Sequence, residues 1–157
     1  MKPLNRRDVC TGLTALTLSG LASRGGMMSE AQVTTPVEGV MAHSQVLRFA
    51  AVPATLTPNG TDRRVLAQHE LTTGEWVRVH ESIAPAAAAA SDLHVIHHSE
   101  LIVVVQGTLG FDHDGVQETA GAGDVIYVAH GTNHRVRNAG DGAARYVVIS
   151  IGGDVKK

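Results

Sequence analysis

The chain has 157 residues, 43% of them hydrophobic and 18% charged, enough for one globular domain and too few for two. Thirteen Lys and Arg against fifteen Asp and Glu give a net charge of -2, so no basic excess exists to neutralise a nucleic-acid backbone. The five aromatic residues, Phe49, Trp76, Phe111, Tyr127 and Tyr146, are too few to build stacking platforms for bases or sugars.

The amino terminus reads as a targeting segment. MKPLNRRDV carries Lys2, Arg6 and Arg7, and the mildly apolar run TGLTALTLSGLA that follows is too short to span a membrane. Adjacent arginines before a weakly hydrophobic region resemble a twin-arginine export signal, although Asn5 and Asp8 match that pattern only in part. The alternative is a short amphipathic helix of the mature domain. Small residues at Ser29 and Ala31 place a cleavage site before Gln32, with an earlier cut near Ser23 as the other option. Residues 1–31 are therefore expected to be a signal peptide, and the product to be exported, periplasmic or secreted. Removal of 1–31 leaves nine basic and thirteen acidic residues, a net charge of -4, and takes away Cys10, the one cysteine. A metal bound by the mature chain must then use nitrogen and oxygen ligands.

Residues 32–60 are turn-rich, with Pro36, Pro53, Pro58 and Asn59-Gly60 around one strand candidate, VLRFAAV; they read as an arm and lead-in strand. From 61 to 157 come short runs rich in Val, Ile and Leu: RVLAQHEL, EWVRVHESI, LIVVVQ, TLGFD, DVIYVA, HRVRN and RYVVISI. None is long enough for a helix of the mature chain. Thr73-Gly74, Asp114-Gly115, Gly121 to Gly123 and Gly140 to Gly142 supply turns at the spacing of an all-β sandwich or barrel. In APAAAAASD the five alanines favour helix, but Pro85 and Asp92 confine it, and a loop over one end of the barrel is expected. LIVVVQ is apolar on both alternating faces, as in a packed sandwich or a subunit interface, and a homodimer is expected. Alternation in EWVRVHESI puts Arg78 and His80 on one polar face, read as outward; Tyr127 shares parity with Val125 and is read as core.

Six of the nine histidines (94, 97, 98, 113, 130 and 134) lie between 94 and 134. His94 and Glu100 are six apart, on one face if their strand is continuous. In HRVRN, His134 and Val136 face the interior while Arg135 and Arg137 point away. Imidazole and carboxylate groups from neighbouring strands can make a two-His, one-carboxylate metal site with open positions. His113 in FDHDG and His130 beside Gly131 read as surface residues.

The blocks HVIHHSELIVVVQG and GDVIYVAHGTNHRVRN resemble the paired motifs of the cupin superfamily, a double-stranded β-helix or jelly-roll barrel. Glu100 and Gly107 match the second half of G-x5-H-x-H-x3,4-E-x6-G, and His94 its first histidine. Gly123, Asp124, Gly131, His134 and Asn138 match GDVxxxPxGxPHxxxN. The resemblance covers about residues 76–150. It implies a divalent transition metal, Fe, Mn, Ni or Zn, held by His94, Glu100 and His134, with Glu100 also available as a catalytic base. Ile96 stands where the family's second metal histidine does and cannot ligate; His98, or His97 after a bulge, is expected to fill the gap. The resemblance implies a metal-dependent enzyme, dioxygenase-like or an isomerase or lyase, acting on a small organic molecule, with no nucleic acid and no membrane span in the mature chain. The alternatives are a non-catalytic cupin that binds a small ligand at a degenerate metal site, and a barrel serving mainly to dimerise.

Overall fold

The structure is a computed structural model that describes residues 40–86 and 88–156. The expected signal segment 1–31 and the first part of the arm lie outside the described residues. Eleven strands follow one another: β1 (Val40–Met41), β2 (Thr55–Leu56), β3 (Asp62–Leu71), β4 (Trp76–Ala84), β5 (His94–Val95), β6 (Ser99–Gln106), β7 (Thr108–His113), β8 (Val116–Gly121), β9 (Val125–Val128), β10 (Asn133–Asn138) and β11 (Ala144–Ile151). The larger sheet runs β1-β3-β4-β11-β6-β9, with β2 also pairing β3; the smaller runs β5-β10-β7-β8. All pairings are antiparallel except β1 with β3. This is the expected all-β double-stranded β-helix. No helix among the described residues is long and apolar enough to cross a membrane.

The core lies between the two sheets. Ile102 and Val104 of β6, Ile126 and Val128 of β9 and Val148 of β11 meet Leu109 and Phe111 of β7 and Ala120 of β8, with Ile96 between the sheets. Period-2 alternation produces this arrangement, because every second side chain of each strand leaves water for the same side.

Two motif residues act on the scaffold. Gly107 joins β6 to β7 at φ +79°, and a Cβ there would stand 2.8 Å from the Ala143 carbonyl oxygen, so only glycine fits the crossing from one sheet to the other. Asn138 ends β10 as a clamp: its Nδ2 donates to the carbonyls of Ala84 (3.1 Å), Pro85 (3.1 Å) and Gly142 (2.8 Å), and its Oδ1 accepts from Gly140 N–H (3.0 Å).

Several local expectations are corrected. VLRFAAV is not a strand; Phe49–Ala51 form a short 3-10 turn, because Arg64 and Arg145 draw the Phe49 ring beneath their guanidinium groups. His94 and Glu100 do not share a strand, since the chain leaves β5 at Ile96 and enters the other sheet at Ser99. Tyr127 points away from the core and is 63% exposed, because the inward side chains of β9 are Ile126 and Val128. The polar strand β8 has no counterpart among the apolar runs. The alanine run forms no helix among the described residues and lies as the expected loop. Asn59 Nδ2 donates to the Ala89 carbonyl (2.8 Å), and Ser91 Oγ donates to the Val136 carbonyl (3.1 Å).

Candidate metal and ligand site

A cavity of about 750 Å³ opens into the barrel, roofed on one side by Ala89 to Asp92. Its floor carries His94, His98, Glu100 and His134, and its far wall carries Arg63, Arg78 and His80.

His134 is placed by β10. Its inward parity buries it to 2% exposure, while Arg135 reaches Asp112 Oδ2 on the opposite face at 2.7 Å. His94 lies directly across from His134 in the β5–β10 ladder, and the two rings stand 4.7 Å apart, tilted by 46°. His94 Nδ1 faces the Asp92 carbonyl at 3.0 Å, which leaves Nε2 free. Glu100 arrives from the other sheet. Its Oε1 meets His98 Nε2 at 2.9 Å and accepts from Ser150 Oγ at 2.8 Å. Its Oε2 faces His134 Nε2 at 3.9 Å.

That separation exceeds a hydrogen bond. It suits two ligands of one ion, whose bonds of about 2.1 Å each span up to about 4.2 Å. Burial, then the charge of His94, pushes the His134 imidazole below its ordinary range and favours the neutral, ligating ring. The buried Nδ1 of His134 meets no partner at hydrogen-bond geometry. Burial alone would raise the Glu100 carboxyl, but the hydrogen bonds from His98 and Ser150 outweigh it, and the group is held ionised below the usual carboxylate range. Imidazole, imidazole and carboxylate therefore fit a divalent transition metal in donor type. Among the described residues, however, no three such groups yet close on one point.

His98 points inward, but both its nitrogens are engaged, Nδ1 with Asp154 Oδ1 at 2.6 Å and Nε2 with Glu100. In this arrangement His98 positions Glu100, and it would reach an ion only by giving up that bond. Ile96 is buried in the core beneath the site. His97 is exposed near His130, the two rings 6.0 Å apart. His113 is half-buried, stacked on Phe111 and bonded to Glu118 at 2.8 Å, rather than free on the surface.

The reading of Arg78 and His80 as outward is overturned, since both line the cavity. Alternation assigned them to one face without saying which face is interior. Burial first, then Arg63 among neighbouring charges, pushes the His80 imidazole down to about 3. Arg63 and Asp154 were not singled out in the sequence. Arg63 is hidden in the pair Arg63-Arg64, whose members face opposite sides of β3, and Asp154 reaches the site from beyond the last strand.

Residues 79–150 match the family model for the cupin domain. Among curated proteins the sequence finds no match. A solved RmlC-like cupin from Shewanella frigidimarina NCIMB 400 is similar at 19% identity and TM-score 0.58, over 71% of this chain and 94% of that one. A predicted oxalate decarboxylase from Thermotoga maritima matches at 16% identity and TM-score 0.58, over 68% and 98%. The polyketide cyclase RemF from Streptomyces resistomycificus matches at 19% identity and TM-score 0.55, over 69% and 80%. At these identities the likeness is one of fold.

Proposed function

The barrel is a cupin-type double-stranded β-helix, and from that premise we propose that the protein is a metal-dependent enzyme acting on a small organic molecule in the cavity above Glu100. The observation that carries this reading is the facing of Glu100 Oε2 and His134 Nε2 across 3.9 Å, with the His94 ring 4.7 Å from that of His134 on the cavity floor. His94, Glu100 and His134 would hold the ion, which when bound supplies a Lewis acid with open positions. The chain's own part is to keep the His134 ring neutral and to hold Glu100 ionised through His98 and Ser150. It also screens the reacting end of the substrate from water beneath the Ala89–Asp92 loop. Oxygenase, isomerase and lyase chemistry all run on this scaffold, so the fold does not select among them.

The test is metal content after anaerobic purification of the full chain and reconstitution with Fe(II), Mn(II), Ni(II) or Zn(II). The expected result is close to one ion per chain, lost in His134→Ala and in Glu100→Gln. A second reading is favoured by Ile96 and by the capture of His98 by two carboxylates: a barrel that binds a small ligand without turnover. Full folding with no metal uptake under any of the four conditions would select it. We further propose that residues 1–31 direct export to the periplasm or the medium; a mature amino terminus at Gln32 is expected on sequencing the secreted product.

A further inference from the structure

We propose that the β3–β4 wall of the cavity is an anion subsite in which Arg63, backed by Arg78, holds the carboxylate of a small organic acid. The proposal rests on reading this cavity as the substrate site and names the substrate class. Along β4 the inward side chains are Arg78, His80 and Ser82, and the register sets Arg63 of β3 opposite Ser82. Four other arginines of the barrel have an acidic partner: Arg64 with Asp62, Arg135 and Arg137 with Asp112, and Arg145 with Glu81. Arg63 has none. Its guanidinium makes no hydrogen bond or ion pair among the described residues, and its buried Nε has no partner. Among the described residues Arg78 is satisfied only by the neutral Gln68 side chain, at 3.1 Å. Between the two arginines, His80 also leaves its buried Nδ1 unpartnered.

A half-buried cation without a counter-charge is costly, and here two stand on one wall. Burial first, and Arg78 second, lower the proton affinity of Arg63, and the opposing pull of Tyr146 and Glu100 does not offset them. Glu100 is the acid that acts on Arg63 from within the cavity, but its Oε1 is held by His98 and Ser150. An entering carboxylate would relieve the repulsion and fill the orphaned Nε–H. The planar fork of a guanidinium matches a planar carboxylate, and no lysine or glycine lines the cavity to favour a phosphate. The buried, unpartnered Nδ1 of His80 lies between the two arginines, so a ring protonated there would donate beside it. Register sets Arg78, Ser150 and Glu100 in one row across β4, β11 and β6, so Arg78 and Glu100 are about 10 Å apart at the backbone. A molecule of a few carbons anchored on the wall would therefore present its other end to Glu100 and His134.

The test is calorimetric titration of the full chain, stripped of metal on a chelating resin, with malonate, malonamide and inorganic phosphate. Malonate is expected to bind and malonamide not to. Arg63→Gln is expected to weaken malonate at least ten-fold without lowering the melting midpoint, and Arg63→Lys to recover only part of the loss. Equal binding of malonamide, an unchanged malonate affinity in Arg63→Gln, or binding of phosphate without malonate would each overturn the proposal. Because the metal is absent throughout, failure of the metal reading leaves this result intact. Uptake of metal by Arg63→Gln, with malonate affinity unchanged from wild type, would mark the opposite failure.

Discussion

His80 shows how one side chain can carry a pH signature distinct from that of the candidate metal ligands. Its imidazole sits among Arg63, Arg78 and Glu100 and titrates at about 3 in the folded chain against 6.5 when free. As pH falls below 6.5 the unfolded chain takes up a proton that the folded chain refuses until about 3. Stability is therefore lost across that window, by up to about 1.4 kcal/mol per pH unit from this group. His134, also held below its ordinary range, adds to the loss in the same direction. Urea unfolding at several pH values between 7 and 4 should give a shallower acid slope for His80→Gln than for wild type; identical slopes would refute the assignment. At this scale the sequence was legible where parity and a motif agreed, as for His134. It was misleading where alternation alone had to choose a side, as for Arg78 and His80. It was silent where partners come from afar, as with Asp154 on His98, 56 residues apart.

Strand boundaries were the harder reading. The run from His94 to Gln106 looks like one segment, yet it crosses from one sheet to the other at Ile96 to His98, and that break brings imidazoles from the small sheet onto a carboxylate of the large one. The polar β8 carries no hydrophobic alternation, because only Ala120 of its six residues is buried. The motif glycine was legible and its role becomes physical at the β6–β7 crossing. Gly107 and Gly115 both have positive φ, so alanine at either meets a left-handed backbone penalty of about 1–2 kcal/mol. Only at Gly107 does the new Cβ also strike backbone, the Ala143 oxygen at 2.8 Å, whereas nothing lies within 4 Å at Gly115. Gly107→Ala should therefore cost at least about 1 kcal/mol more than Gly115→Ala in denaturant titration. Equal costs would show that the close approach at this crossing is not what demands glycine.

The whole molecule has two apolar faces on its larger sheet, and only one is covered by the smaller. On the other, register sets Val79, Ile149, Leu101 and Tyr127 in one row across β4, β11, β6 and β9, and Val147, Val103 and Val125 in the next. Among the described residues Phe49 and its arginines cover the end of this face near Glu81 and Arg145. The doubly apolar LIVVVQ pointed here in the sequence, but which face meets the core and which another surface depended on the sheet order. Val125 and Tyr127 lie on the edge strand β9 and are 56% and 63% exposed, a pairing of an apolar patch with an aromatic rim that suits a self-complementary contact. A second copy of the chain on this face would bury the rows against their own symmetry mates; a stable contact needs about 800 Å² per partner. Light scattering after size exclusion should then report a dimer for the wild type. Val125→Asp with Tyr127→Asp should give a monomer with an unchanged circular dichroism spectrum, because neither side chain touches the inner core. A wild-type monomer, or a double variant that remains dimeric, would show that this face is not where two copies meet.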